Sequence, residues 1–305
     1  MDDATQQFLN SRYGWTIPSN VQTIHQGENE TFLITTGEGA FVVRRYRRGH
    51  RSVAEIAAEV AWLELLRTHL NVPETVATLS GATLCANKGH AFVVFKALPG
   101  RSIYHPTPAD YERLGALQRE LHEAAGELGR EQPRTWAGYG RPVYGHETLI
   151  DTPLRSLRHA PFLESQVKVQ AETIAATLTE LYEQLEPSNT GFVHMDMHFG
   201  NIIVVGKDWF VLDFDECGFG PRVLDAGAVR FHAVFEGHLG ERWQAFVSGY
   251  GGLPKASVLL GSALRAFYAA GKVPNRLDVA GLAKNPAGVV RRYLEHVASE
   301  LSLLR

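Results

Sequence analysis

Several features that define other protein classes are missing from this chain of 305 residues. It has two cysteines, Cys85 and Cys217, which stand too far apart for a CxxC motif, so we expect buried free thiols. No stretch approaches the roughly 18 apolar residues that span a bilayer, and the first residues show neither a basic nor an apolar leader segment. These absences exclude a disulfide scaffold and predict a cytoplasmic protein with no membrane partner.

An excess of charge of either sign is also absent. The 30 Lys and Arg residues nearly balance 33 Asp and Glu residues, which gives a formal net charge of −3. Such a chain has no field that would hold a nucleic acid, so any polyanion must be bound by local contacts. Lysine is missing from the first 87 residues, because the first one in the chain is Lys88. Every earlier cationic side chain is therefore arginine or histidine.

What the chain does contain changes character near residues 96–100. Before this point, short β-rich runs alternate with glycine turns, and one helix interrupts them after a capping box of Ser52 and Glu55. Beyond it, helical periodicity dominates, although residues 126–161 have poor periodicity and are expected to form loop and short helix. The order of three strands, one helix and two strands predicts a small antiparallel sheet with a helix on one face.

The predicted domains are residues 1–96 and residues 97–305. The predicted strands of the first part are residues 21–24, 31–36, 40–46, 82–86 and 91–95, and its helix is residues 52–69. The predicted helices of the second part are residues 108–125, 163–185, 223–236, 241–248, 255–270 and 287–304.

The densest set of chemical groups lies in the middle of the second part. A loop with His194, Asp196 and Asn201 leads into two short apolar strands joined by a Gly-Lys-Asp turn, and Asp213 and Asp215 follow the second strand. A hairpin of this kind predicts that Asn201 and Asp213 lie close together. Amide and carboxylate oxygens are the ligands that Mg²⁺ prefers when it also binds substrate phosphates. Asp196 is then left to accept a proton from an attacking hydroxyl.

The spacing of these residues matches one chemical template. The pattern His-x-Asp-x-x-x-x-Asn, with a further aspartate twelve residues later, is the layout in which a base and two metal-binding groups perform phosphoryl transfer. A zinc site of His194, His198 and Asp196 is an alternative reading of the same segment. It is disfavoured because the segment does not look helical, and His194 is expected to brace the loop by hydrogen bonding.

These motifs resemble the aminoglycoside phosphotransferase and choline kinase-like family, which has the bilobal protein-kinase-like fold. The resemblance rests on the loop just described, on the run from Asp213 to Pro221, and on Asp225. Residues 26–32 also resemble the family's nucleotide loop and residues 41–44 its third strand, and the likeness covers about residues 20–235. It implies an α+β fold with a small lobe, made of an antiparallel sheet and one helix, and a larger, mainly helical lobe.

The resemblance also implies ATP and Mg²⁺ as cofactors and assigns roles to residues of the second part. Asp196 is the implied catalytic base, with His194 beside it, and Asn201 and Asp213 are the implied metal ligands. Asp215 is expected to support the metal site or the substrate. The absence of Gly-x-x-x-x-Gly-Lys-Ser/Thr excludes the P-loop class of nucleotide-binding proteins.

In the small lobe, the implied nucleotide-binding residues are Gly27, Asn29, Arg44, Glu59, Phe95 and Ala97. Most such kinases have a lysine on the third strand, and here Arg44 must take its place. Glu59 is the expected partner of that cation, with Glu55 one turn earlier as the competitor, and Arg45 should face the other side of the strand. An arginine can chelate phosphate oxygens with its planar fork.

The sequence leaves the acceptor open. The leading hypothesis is a kinase that phosphorylates a hydroxyl of a small molecule of the amino alcohol, amino acid or sugar type. A Ser/Thr protein kinase of the stress-response type and a nucleotide-binding pseudokinase are the alternatives. Carboxylates around Asp196 would indicate an aminoglycoside, and guanidinium groups an acidic metabolite. Arg101, Arg134 and Arg141 are candidates for binding an anionic acceptor, although surface arginines are more often merely solvated.

Overall fold

The computed structural model describes residues 1–16, 21–27, 29–131, 140–185 and 189–304. The chain forms two compact units. The first comprises Met1–Ile103, Leu128–Arg141 and Ile202–Asp215, and the second comprises Tyr104–Glu127, Pro142–Asn201 and Glu216–Arg305. The assignment of nucleotide binding to residues 1–96 and of catalysis to residues 97–305 stays a prediction.

The first unit is built on a five-stranded antiparallel sheet with the strand order β1-β2-β3-β5-β4. Its strands are β1 (Gln22–Gln26), β2 (Glu30–Thr36), β3 (Gly39–Arg45), β4 (Leu84–Asn87) and β5 (His90–Lys96), preceded by α1 (Asp3–Tyr13) and interrupted by α2 (Val53–Leu66). The predicted order of three strands, one helix and two strands is confirmed. The unit also contains a hairpin of β7 (Ile202–Val205) and β8 (Asp208–Val211).

Alternating burial explains why the sheet forms. Phe32 and Ile34 of β2 are buried on the same face, and the intervening residue Leu33 is only partly buried. The run 91–95 of β5 is buried throughout, so both faces of this strand are covered. At the start of α2, Ser52 Oγ accepts a hydrogen bond from the Glu55 amide at 3.2 Å, and the Glu55 carboxylate accepts one from the Ser52 amide at 2.8 Å. The predicted capping box is confirmed.

Helix α1 was not predicted, although its residues carried the signals. Asp2 caps the helix by accepting a hydrogen bond from the Thr5 amide at 2.8 Å. Leu9 and Tyr13, four residues apart, are buried on one face. The ring of Tyr13 stacks on Trp15 with centroids 4.5 Å apart, so the helix ends against the aromatic core of the sheet.

The second unit is mainly helical, as predicted. Its helices are α3 (Pro108–Glu131, of which the last four residues belong to the first unit), α4 (Thr152–His159), α5 (Ser165–Tyr182), α6 (Val223–Phe235), α7 (Glu241–Tyr250), α8 (Lys255–Lys272), α9 (Ala280–Ala283) and α10 (Pro286–Ser302). Strands β6 (Thr190–Val193) and β9 (Gly218–Pro221) pair antiparallel. Helix α3 passes its predicted end at residue 125, because Leu128 continues the buried stripe of Leu121 and Ala124.

The packing of α6 on α8 positions part of the site described below. A Cβ atom on Gly227 of α6 would lie 2.2 Å from the carbonyl carbon of Gly261 of α8, so the two backbones approach at a distance that only glycine allows. Four residues after each glycine, on the same helix face, stand Phe231 and Arg265. Among the described residues, no helix combines the length and the apolar character needed to cross a membrane.

Candidate active site

In the first unit, Arg44 of β3 is held by a buried carboxylate of α2. Arg44 Nη1 lies 3.0 Å from Glu59 Oε1, and the Tyr46 hydroxyl donates to Glu59 Oε2 at 3.1 Å. Glu59 is 1% exposed, and this burial raises its pKa to about 7, although the charge of Arg44 acts in the opposite direction. Arg45 points to the other face of the strand, where it pairs with Glu30. The structure therefore brings Glu59 to Arg44, whereas Glu55 remains in the capping box.

The same guanidinium also contacts Asp213, which follows β8. Arg44 Nη2 lies 3.1 Å from Asp213 Oδ1, an atom that is buried and accepts no hydrogen bond from the part of the chain that the structure describes. The Asp213 backbone has a φ of 59°, in the left-handed region that non-glycine residues rarely adopt. A carboxylate oxygen with no hydrogen-bond donor is a suitable ligand for a hard cation. Asp213 thus fits the metal role that its sequence position implied.

Asp215 differs from Asp213 because two basic side chains contact its carboxylate, whereas among the described residues only Arg44 contacts that of Asp213. His50 Nε2 lies 3.1 Å from Asp215 Oδ2, and Arg51 Nε lies 3.6 Å from Oδ1. Burial alone would raise the pKa of Asp215, but the hydrogen bond from His50 and the charge of Arg51 lower it well below its usual range. Asp215 Oδ1, like Asp213 Oδ1, is buried without a hydrogen bond from the described residues, but two basic groups balance the Asp215 carboxylate, so it fits the metal role less well than Asp213.

The other expected nucleotide-binding residues fall into two groups. Phe95 of β5 lies beside Arg44, with the guanidinium carbon 5.9 Å from the ring centroid, and the Ala97 amide donates to the Ala40 carbonyl at 3.0 Å. Gly27 donates its amide hydrogen to the Asn29 carbonyl at 3.2 Å and so forms a local turn. The buried Asn29 side chain accepts a hydrogen bond from the Arg47 amide at 3.2 Å, so it fixes the backbone that follows β3. Glu28 lies outside the described residues.

In the second unit, Asp225 fixes the loop that carries Asp196. Its carboxylate accepts hydrogen bonds from the amides of His194 at 2.9 Å and Met195 at 2.6 Å, and His122 Nε2 lies 2.9 Å from the same group. Asp225 is fully buried at the start of α6, and Met195 has a φ of 69°. A strained backbone held by a buried carboxylate is a common property of functional sites. The loop conformation is therefore imposed by the fold around it.

The carboxylate of Asp196 is surrounded by donors. Arg265 Nη2 lies 2.9 Å from Asp196 Oδ1, and His232 and His198 approach with Nε2 at 3.7 and 3.8 Å from the carboxylate oxygens. Burial alone would raise the pKa of Asp196, but the His232 hydrogen bond and the Arg265 charge lower it well below its usual range. Asp196 is thus a charged group that is already solvated by protein donors.

His194 and Asn201 stand where the sequence placed them, on either side of Asp196. The Asp196 amide donates to His194 Nδ1 at 3.3 Å, so His194 braces the loop as predicted. Asn201 donates through Nδ2 to the Asp196 carbonyl at 2.9 Å, and its amide oxygen makes no hydrogen bond with the described residues. That oxygen is suited to a metal ion. Asn201 and Asp213 belong to different compact units, so their predicted convergence stays a prediction.

Sequence reasoning missed Arg265 and His232, the cationic and aromatic neighbours of Asp196. Arg265 stands 69 residues from Asp196 along the chain and belongs to α8, and His232 belongs to α6. No local motif marks either residue, because their position depends on how the two helices pack. Of the arginines considered for an anionic acceptor, Arg141 instead donates to the carbonyls of Glu55 and Phe214, both at 3.1 Å. Arg134 lies outside the described residues.

The fold is that of protein-kinase-like phosphotransferases. Residues 21–258 match the model of the APH family, described as the phosphotransferase enzyme family, and the chain belongs to this family. The resemblance, the fold class and the phosphotransferase activity expected from the sequence are confirmed.

Three similar proteins illustrate the range of the family. An uncharacterized protein of Deinococcus radiodurans is 30% identical over 256 residues, which cover 79% of this chain and 71% of the relative. The amicoumacin kinase hAmiN, solved with AMP-PNP, Ca²⁺ and Ami, has a TM-score of 0.79 at 20% identity, covering 98% of this chain and 94% of the other. A microcompartment-associated aminopropanol kinase has a TM-score of 0.77 at 23% identity, covering 99% and 96%.

Proposed function

We propose that this protein is an ATP- and Mg²⁺-dependent kinase that transfers the γ-phosphoryl group to a hydroxyl of a small molecule. The observation that carries the proposal is the position of Arg44, whose guanidinium contacts both the buried Glu59 and the partly exposed Asp213. A cation fixed by a buried carboxylate beside a potential metal ligand is the arrangement that phosphoryl transfer requires. The nucleotide analogue bound by the amicoumacin kinase supports the choice of a nucleoside triphosphate as donor.

Arg44 would bind the phosphates of the nucleotide. Its planar fork can make two parallel hydrogen bonds to phosphate oxygens, which the compact ammonium of a lysine cannot do. Glu59 would keep the guanidinium in place, and Phe95 and Ala97 would contact the rest of the nucleotide. Gly27 and Asn29 would contribute through the turn that they form, because the Asn29 side chain is engaged with the Arg47 backbone.

Asp213 and Asn201 would hold the Mg²⁺ ion that accompanies the nucleotide. The bound ion would neutralise negative charge on the phosphate oxygens. The unsatisfied carboxylate oxygen of Asp213 and the amide oxygen of Asn201 are the atoms available for this role. Asp215 would instead fix the segment that follows β8 through His50 and Arg51.

Asp196 would orient the acceptor hydroxyl and take its proton. The acceptor oxygen forms the new bond to phosphorus, the bond to the leaving nucleoside diphosphate breaks, and the hydroxyl proton passes to the Asp196 carboxylate. A carboxylate of such low pKa is a weak base, so orientation dominates and proton transfer comes late. Asp225 and His194 keep the loop in the conformation that aims the carboxylate.

The test is ADP release from ATP and Mg²⁺ with a panel of amino alcohols, hydroxy acids, sugars, aminoglycosides and a casein-type protein. Turnover on a small molecule that is abolished by both Asp196→Ala and Asp213→Ala is the expected result. Phosphorylation of casein alone would instead indicate a protein kinase. Thermal stabilisation by ATP with Mg²⁺, but no turnover on any acceptor, would contradict the proposal and indicate a pseudokinase.

A further inference from the structure

The strongest feature that the proposed function does not use is the arginine beside Asp196. Arg265 makes two hydrogen bonds to one short segment: Nη2 donates to Asp196 Oδ1 at 2.9 Å, and Nε donates to the Met195 carbonyl at 2.8 Å. The Asp196 carboxylate, which is proposed to receive the acceptor hydroxyl, therefore already has one oxygen bound to the Arg265 guanidinium. A group that competes for this guanidinium would release Asp196 for catalysis.

A metal ion is one conceivable ligand of this region, because ligand atoms of Asp196, His198 and His232 lie within 4.8 Å of one another. The hydrogen bonds exclude it. The Gly200 amide donates to His198 Nδ1 at 3.1 Å, so in the neutral ring Nε2 carries the proton and cannot coordinate a metal. The fixed charge of Arg265 would repel a cation as well. The His198 ring thus turns its Nε2–H group toward Asp196, at 3.8 Å from the carboxylate.

The charges around Arg265 also disfavour a cationic acceptor. Asp196 and Glu216 are the two carboxylates whose charges raise the pKa of Arg265. Glu216 pairs with Lys272 and accepts a hydrogen bond from the Tyr268 hydroxyl at 2.8 Å, and Asp196 pairs with Arg265 itself. Each carboxylate therefore already has a cationic partner. A polycation such as an aminoglycoside would have to displace both arginine and lysine.

The surroundings of the guanidinium suit a small anion. Its central carbon lies 6.0 Å from the ring centroids of both Phe231 and Tyr268, so two aromatic side chains flank the charge. Arginine binds carboxylates through charge-assisted, often bidentate, hydrogen bonds. A singly charged carboxylate can replace Asp196 as its partner, whereas a phosphate dianion would face stronger repulsion from Asp196 and Glu216.

We infer that the acceptor is a small molecule that carries a carboxylate as well as the reacting hydroxyl, as in a hydroxy acid or hydroxy amino acid. Arg265 binds this carboxylate. The inference rests on the proposed kinase function. Arg265 exchanges Asp196 for the acceptor, while His232 and His198 continue to face the freed carboxylate. A neutral alcohol lacks the group that draws Arg265 away, so it would meet an Asp196 that is still paired.

Matched acceptors test this inference: L-homoserine against L-homoserinol, L-serine against 2-aminopropane-1,3-diol, and 4-hydroxybutyrate against butane-1,4-diol. In the pair that is turned over best, we expect kcat/KM to favour the carboxylate about 10-fold to 100-fold, the range of a hydrogen bond to a charged group. Arg265→Gln should raise KM for the carboxylate member and bring the ratio close to one. Arg265→Lys, which keeps the charge without the fork, should retain part of the preference.

Arg291→Gln is the matched control. Arg291, on α10, forms an exposed ion pair with Glu164, so its replacement should leave the ratio unchanged. Calorimetric titration of each acceptor and thermal unfolding of each variant separate binding from folding. Preference for the neutral member, or an equal loss on both members in Arg265→Gln, overturns the inference and leaves the kinase proposal intact. Failure of every carboxylate member to bind or react overturns it too, and absence of turnover on all acceptors contradicts the kinase proposal as well.

Discussion

The two charged clusters of this molecule use the same kinds of side chain in different proportions. In the first unit, three carboxylates face three basic side chains: Glu59, Asp213 and Asp215 lie beside Arg44, Arg51 and His50. In the second unit, a single carboxylate, Asp196, is faced by an arginine and two histidines. Among the described residues, Asp213 Oδ1 and Asp215 Oδ1 of the first cluster accept no hydrogen bond, whereas both oxygens of Asp196 accept one.

The pKa of Glu59 shifts in the opposite direction to those of Asp215 and Asp196, which their basic neighbours lower. Burial dominates for Glu59, whose pKa rises to about 7, while hydrogen bonding and the Arg265 charge dominate for Asp196, whose pKa falls. Under the proposed function, the first cluster would take up a cation at Asp213 and the second an anion at Arg265. Each charged group would then be held by local contacts, as a chain with a net charge close to zero requires.

Removing the candidate metal ligand should have the largest effect. Asp213→Ala is expected to lower kcat/KM for phosphoryl transfer by about 10³-fold or more, because metal stabilisation of phosphate charge contributes several kcal/mol. Steady-state kinetics at varied Mg²⁺ measures this loss. Asp208→Ala, at an exposed position of the same hairpin, should keep the wild-type rate. A wild-type rate in Asp213→Ala would show that the first cluster does not bind a cation needed for the reaction.

Neutralising the candidate base should have the next largest effect. Asp196→Asn is expected to lower kcat by about 10² to 10⁴-fold, the usual contribution of general base catalysis, with little change in KM for ATP. Single-turnover kinetics with saturating ATP measures the chemical step directly. Glu180→Gln, on the exposed side of α5, is the control. A raised KM for ATP with an unchanged kcat would show that Asp196 acts on the nucleotide instead.

The raised pKa of Glu59 predicts a pH-dependent stability. Because its folded pKa of about 7 exceeds the ordinary value of 4.5, folding stabilises the protonated form. That stabilisation is complete below about pH 4.5 and is lost as the pH rises through about 7. The difference is about 2.5 pH units, or at most about 3 kcal/mol at 1.36 kcal/mol per unit.

Urea unfolding of the wild type and Glu59→Gln from pH 4.5 to 8 tests this expectation. The free energy of unfolding of the wild type should fall relative to that of the variant as the pH rises. Glu64→Gln, on the exposed side of the same helix, should follow the wild type at every pH. Parallel curves for the wild type and Glu59→Gln would show that Arg44 fully compensates the burial of Glu59.

The smallest effect is expected from the arginine pair of β3. Arg44→Lys should raise KM for ATP about 10-fold, because one charged hydrogen bond of the guanidinium fork is lost while Glu59 keeps a cationic partner. Arg45→Lys is the matched control, since Arg45 faces Glu30 on the opposite side of the strand. Initial rates at varied ATP measure both variants. Equal KM values for ATP in Arg44→Lys and Arg45→Lys would show that Arg44 does not bind the nucleotide.

Local patterns were enough to predict most of the fold and part of the site. The strand and helix order of the first unit follows from strand-like and helix-like spacing of its hydrophobic residues. The capping box of Ser52 and Glu55 forms as predicted. The pairing of Arg44 with Glu59 was expected from family register, because spacing alone did not separate Glu59 from Glu55. Helix α1 was missed although Asp2 and Leu9 carried its signals.

Long-range packing explains what the sequence could not show. Asp225 accepts hydrogen bonds from the amides of His194 and Met195, which lie 31 and 30 residues before it, and no spacing rule specifies these contacts. Arg265 reaches Asp196 because Gly227 and Gly261 let two helices approach closely.

The sequence by itself determined the kind of reaction, since the residue types and spacing of the segment from His194 to Asp215 specify phosphoryl transfer chemistry. It also predicted that an arginine takes the place of the usual lysine, because no lysine precedes Lys88. Only the tertiary structure decided the charge that faces Asp196. That charge comes from α8, and electrostatic interactions depend on distance in space, which helix packing sets and separation along the chain does not.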